Sequence, residues 1–155
     1  MEIQTRHDIF EPDDLTALIC IDEPAIQRAV VEHVSALNYK IHTGLFTEDI
    51  SLKLRAHTYD LVVIYENFND TVAEGNPVLA VTTRIPTAQR RNQFVVLIGP
   101  NMITNDDMQS FQYSVDLTFS MSDLRNLTPV LRRGVARYKD FYRVFNDTLR
   151  VACAA

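Results

Sequence analysis

Thr16 to Ile21, Leu61 to Tyr65 and Phe94 to Ile98 are short, nearly unbroken apolar runs. Alternating strands keep one face wet, whereas continuous ones are buried on both faces, which points to a parallel sheet with helices on each side. Two weaker stretches, Lys40 to Phe46 and Val115 to Phe119, complete a set of five strands. Between the first two, Ile26, Ala29, Val30, Val34 and Leu37 recur at helical spacing, with Gln27, Arg28 and Glu32 off the stripe. The order strand, helix, strand, repeated through 155 residues, reads as one α/β domain of the flavodoxin-like kind with strand order 2-1-3-4-5. In such a sheet, ligands and chemistry gather at the carboxyl ends of the strands.

Helix boundaries follow from local signals. Asp22-Glu23-Pro24 ends the first strand and opens a helix, because Pro suits a first turn and acids suit the positive end of the dipole. Thr47 is expected to cap the second helix, with Glu48 and Asp49 in its first turn and Ile50, Leu52 and Leu54 to Ala56 following. Pro77 to Ile85 reads as a helix that Pro86 ends, and Thr87 restarts a short turn. Thr104 is expected to cap another helix, with Asp106 and Asp107 in its first turn. The last helix, from about residue 124, is the most periodic. Leu124, Leu127, Leu131, Val135, Tyr138, Tyr142, Phe145 and Leu149 form a heptad-like stripe.

Composition excludes several classes. A formal net charge of −5 argues against nucleic acid and against anionic membranes as partners. No apolar run approaches the ~20 residues of a membrane helix. Met1 to Asp14 is polar and acidic and lacks a signal-peptide core, so a cytoplasmic location is expected. Two cysteines make no disulfide framework, and Cys20 reads as a buried apolar residue. His7, His33, His42 and His57 lack metal-ligand spacing, and His33 borders the core stripe. With four Gly there is no phosphate-binding glycine loop, and there is no GxSxG elbow. No cofactor and no metal are expected.

The segment Leu18-Ile19-Cys20-Ile21-Asp22-Glu23-Pro24 resembles the start of bacterial response-regulator receiver domains, and Asp60-Leu61-Val62-Val63-Ile64 resembles their approach to the phosphorylated Asp. The resemblance covers the element order from about Leu15 to Val135. It implies a CheY-like domain over 15–155, with 1–14 as an N-terminal extension and a lengthened last helix. It also implies a two-component signalling role. The departures are as informative. Ile21 stands where the family has its first acid, so only Asp22 is kept, with Glu23 beside it. Tyr65 stands at the phosphoacceptor position, Gly99 at the Thr or Ser, Ser120 at the Lys and Met121 at the Pro. Mg²⁺ wants several hard oxygen ligands in octahedral geometry, and phosphoryl transfer to Asp needs a carboxylate nucleophile. A phenol with pKa near 10 is not equivalent. A strand one residue longer would put Glu66 at the end of the third strand, where a fixed carboxylate could imitate an activated state.

The expectation is a degenerate pseudo-receiver that is not an enzyme and signals by protein–protein contact, with Ile21, Asp22, Glu23, Tyr65, Glu66, Gly99 and Ser120 as the degenerate pocket. The contact surface implied by the family is the fourth helix, fifth strand and fifth helix. Tyr138, Phe141, Tyr142 and Phe145 are expected to serve a protein partner or self-association as a dimer. Arg84, Arg90 and Arg91 form a basic cluster that is either a solvated face or a receiver for an acidic partner. Two rival readings are a small-molecule sensor using the more apolar pocket and a residual metal-dependent enzyme using Asp22, Glu23 and Glu66.

Overall fold

The computed structural model describes residues 8–154; His7 and the first half of the expected extension fall outside it. Five strands form one parallel sheet: β1 (Thr16–Cys20), β2 (Lys40–Thr43), β3 (Leu61–Tyr65), β4 (Phe94–Gly99) and β5 (Leu117–Ser120), in the order β2-β1-β3-β4-β5. This is the expected flavodoxin-like topology. Six helices connect and cover it: α1 (Pro24–Ser35), α2 (Thr47–Ala56), α3 (Pro77–Thr82), α4 (Thr87–Arg90), α5 (Asp107–Tyr113) and α6 (Leu127–Ala154).

Strand alternation divides the core in two. Ala17, Ile19, Leu61, Val63, Phe94, Val96, Ile98, Leu117 and Phe119 meet Val30 and Val34 of α1 and Leu127 and Leu131 of α6. Leu18, Cys20, Val62, Ile64, Val95 and Leu97 meet Ile50 and Leu54 of α2 and Val78 and Leu79 of α3. Cys20 is fully buried, and burial pushes its thiol pKa well up, so it acts as a core residue.

Several local expectations are corrected. Gln27 is buried, because its amide donates to the Ile21 carbonyl at 3.1 Å and ties α1 to the end of β1. β2 stops at Thr43 instead of Phe46. Gly44 gives the ladder its last bond, to the Ile19 carbonyl, and a Cβ there would sit 2.3 Å from Ile50. Thr47 is the first helical residue of α2 and Phe46 precedes it with no side-chain cap. Leu52 is exposed because only the i, i+4 pair Ile50 and Leu54 can face the sheet. Asp106, not Thr104, caps α5 by accepting from the Gln109 N–H at 3.0 Å. The Thr104 hydroxyl instead donates to Asp123 and accepts from the Ser120 N–H. β5 lies one to two residues later than expected. A 3-10 turn over Met121–Asn126 delays the last helix to Leu127.

The chain before β1 packs on the sheet edge. Asp8 exchanges two bonds with Ile41 of β2, donating its N–H to the carbonyl and accepting the amide on its carboxylate, and Phe10 stacks on His42 at 4.0 Å. Edge strands invite unwanted pairing, and this contact blunts one. Among the described residues, no helix is long and apolar enough to cross a membrane.

Candidate functional site

Parallel strands in register bring their carboxyl ends together. Cys20 pairs with Ile64, Tyr65 with Ile98 and Gly99 with Ser120, so the expected pocket residues share one rim of the sheet. What those residues do there is set by their partners.

Ile21 is fully buried and contributes only its carbonyl, to Gln27. Asp22 accepts the Asn69 N–H at 2.8 Å and so holds the loop after β3. That loop carries Asn69 and Asp70 at positive φ (59° and 54°), a region where Asn and Asp are tolerated best among side-chain-bearing residues. Glu23 accepts the Ile26 N–H at 2.8 Å and caps α1. β3 ends at Tyr65, and Glu66 follows with its N–H still bonded to the Ile98 carbonyl at 2.8 Å. Their side chains point to opposite faces. The half-buried Tyr65 phenol has its pKa raised, first by burial and then by the negative charge of Glu23, Asp22, Glu66 and Asp70. A phenol so placed stays protonated and is a poor nucleophile.

Glu66 is 2% exposed, and its carboxylate accepts two bonds from Asn101, the backbone N–H and the side-chain amide, both at 2.9 Å. It occupies the space above Gly99: a Cβ on Gly99 would lie 2.2 Å from Glu66 Oε1. Glycine at this position is thus the condition for Glu66 to fold back over β4. Ser120 closes the rim, its hydroxyl bonded to that of Ser122 at 2.8 Å.

Sequence reasoning missed three residues of this rim. Buried Asn76 donates to the Tyr65 and Glu66 carbonyls (2.8 and 3.0 Å) and accepts from Val78 and Leu79, so one amide fixes the end of β3 and starts α3. The Asn76-Pro77 dipeptide is a recognisable helix start and carried that signal. Asn101 and Asn69 carry none. Among the described residues, no group of three or more His, Cys, Asp or Glu is disposed to hold a metal ion.

A second region lies at the amino ends of β4 and β5. A cavity of about 560 Å³ is bounded by Thr82, Thr87, Arg91, Phe111, Tyr138 and Tyr142, and a neighbouring one of about 450 Å³ runs past Asp107, Leu117, Gly134 and Phe141. Together they groove the surface between α5, β5 and α6. The expected basic cluster is divided here. Arg90 is tied to Asp116 at 3.0 Å and to two carbonyls, Arg91 lies over the Phe145 ring at 4.7 Å, and Arg84 is exposed. Tyr138 is turned to its own domain, donating to the Arg91 carbonyl and meeting Phe94 edge-on.

No family model matches the sequence, and no curated protein matches it. Solved structures do. A CheY-like response regulator receiver domain from Methanospirillum hungatei superposes with a TM-score of 0.63 at 11% identity, covering 83% of this chain and 98% of that one. A CheY-like receiver domain from Methylobacillus flagellatus gives 0.58 at 20% identity, covering 79% and 99%. The chemotaxis response regulator CheY4 of Vibrio cholerae gives 0.61 at 10% identity, covering 78% and 98%. At these identities the likeness is one of architecture, and the chain has the fold of CheY-like receiver domains.

Proposed function

We propose that this chain is a receiver-like signalling module of the two-component type that works by protein contact and not by accepting a phosphoryl group. The observation that carries this is the commitment of all three acids of the expected pocket. Glu66 is turned onto Asn101, Asp22 holds Asn69 and Glu23 caps α1, while a protonated phenol stands at the end of β3. A magnesium site needs carboxylates free to converge on one point, and an acceptor needs an ionised oxygen. The contact surface is the groove between α5, β5 and α6, where Phe111 and Phe141 stand exposed beside Tyr142. Exposed aromatics at the rim of a groove favour a protein partner.

Thermal unfolding with and without Mg²⁺ and beryllofluoride, an imitator of the phosphoryl group, tests this. A ligand that binds only the folded chain must raise the midpoint by mass action. No shift is expected. A shift of several degrees that is lost on Asp22→Asn would overturn the reading.

A further inference from the structure

α6 divides near Tyr138. Before it, Leu127 and Leu131 are fully buried, and Val130 and Val135 pack against the core. After it the helix continues to Ala154, with Phe141 77% and Val151 72% exposed and Val144, Phe145 and Leu149 also open. The apolar stripe does not stop where the domain does. Leu131, Val135, Tyr138, Tyr142, Phe145, Leu149 and Ala152 step by four, three, four, three, four and three. An average of 3.5 keeps these side chains in line over the free turns, the period at which one helix holds an apolar seam toward another.

Charge narrows the choice of helix. From Lys139 to Ala154, the part beyond Tyr138, the chain has three Lys or Arg against two Asp, while the remainder has twelve against eighteen Asp or Glu. An anionic membrane or nucleic acid that attracted the helix would repel the body joined to it. The acidic body of another copy complements the helix.

We infer that the free half of α6, from Phe141 to Ala152, pairs antiparallel with the same segment of a second copy. The seam sets the direction. Antiparallel pairing about a two-fold axis level with Asp147 sets Tyr142 opposite the partner's Ala152 and Phe145 opposite the partner's Leu149, large against small. Parallel pairing would stack Tyr142 on itself and leave a gap at Ala152. Antiparallel pairing also sends each tail, with its net charge of +1, toward the other copy's acidic body, while parallel pairing sets the two tails side by side. The inference names a partner for the docking module proposed above but stands on the helix alone, so its failure would leave the reading of the strand-end pocket intact.

The overlap is short, about 18 Å at ~1.5 Å per residue, so the dimer is expected to dissociate on dilution. Sedimentation of the full chain should give twice the 17.7 kDa monomer mass at high concentration and the monomer at low concentration. Phe145→Asp and Leu149→Asp should each raise the dissociation midpoint by roughly 100-fold or more, with unchanged circular dichroism. Among the described residues, Cys153 is exposed and Cys20 buried, so Cys153 serves as a native probe. In the antiparallel dimer two Cys153 residues lie roughly 18 Å apart along the axis, but Lys139 lies within about 3 Å axially of the partner's Cys153. A short bismaleimide linker should therefore join copies of a Lys139→Cys variant efficiently and the unaltered chain poorly. A monomer at all concentrations, a dimer indifferent to both Asp substitutions, efficient Cys153-to-Cys153 linkage in the unaltered chain, or a monomer that instead binds anionic vesicles would each overturn the inference.

Discussion

At the carboxyl ends of the strands the three acids of the expected pocket find partners inside the domain: Glu66 on Asn101, Asp22 on Asn69, Glu23 on the first turn of α1. Along the far half of α6 the apolar side chains Phe141, Val144 and Val151 stay open to solvent, and Phe145, with the Arg91 guanidinium over its ring and Tyr142 at its edge, is still exposed. One region has turned its functional groups inward and become part of the scaffold. The other extends apolar surface that the domain itself does not cover. Buried polar groups that are satisfied rigidify a site and exposed apolar surface promotes association, and this contrast supports the proposal that recognition lies at the helix end of the molecule.

The sharpest break in this contrast lies within α6. Leu131→Ala removes a fully buried side chain from the core cluster that also holds Phe94 and Leu117, and it should cost about 2–5 kcal/mol in denaturant unfolding. A loss below about 1 kcal/mol would mean that the first half of the helix is not part of the core. Next comes the rim. Gly99→Ser forces a Cβ into Glu66, so Glu66 must leave Asn101 or β4 must shift; a loss of about 1–3 kcal/mol is expected. Asn101→Ala in the Gly99→Ser background should then cost little more, because the bond is already broken, and a fully additive double variant would contradict the arrangement.

A pH titration gives a smaller effect. Burial and the nearby Asp116 charge push the Tyr138 phenol up to about 12, from 10 for an open phenol. Below pH 10 both folded and unfolded chains hold the proton and the fold keeps its full stability. Between pH 10 and about 12 the unfolded chain loses it first, so stability falls as pH rises. The slope contributed is less than ~1.4 kcal/mol per pH unit, since the ring is partly solvated. Tyr138→Phe should flatten this limb, and an unchanged alkaline slope would remove Tyr138 from the account. The smallest effect belongs to the free half. Leu149→Ala in the dilute, monomeric chain should change unfolding free energy by no more than about 0.5 kcal/mol, and a larger loss would show that the tail is covered by its own domain.

The strands were legible in the residues themselves. Continuous apolar runs need two covering layers, so Leu61 to Tyr65 and Phe94 to Ile98 demanded a parallel sheet before any contact was known, and helical spacing supplied the layers. Pro24 marked the start of α1, and the α6 stripe declared itself by period alone. The tertiary structure decided what depends on distant neighbours. Gln27 looked like a surface residue until the Ile21 carbonyl came within reach, and Thr104 looked like a cap until Asp123 and Ser120 took its hydroxyl. Asp8 and Phe10 fall in the expected N-terminal extension, and only the fold shows that β2 offers them an edge. The choice between Tyr65 and Glu66 was a matter of where β3 ended. The role of Glu66 rested on Gly99 and Asn101, more than thirty residues away. Apolar periodicity is a property of neighbouring positions, so a sequence displays it. The partner of a buried polar atom is fixed only when the chain has closed, so the fold alone shows that these carboxylates are already engaged.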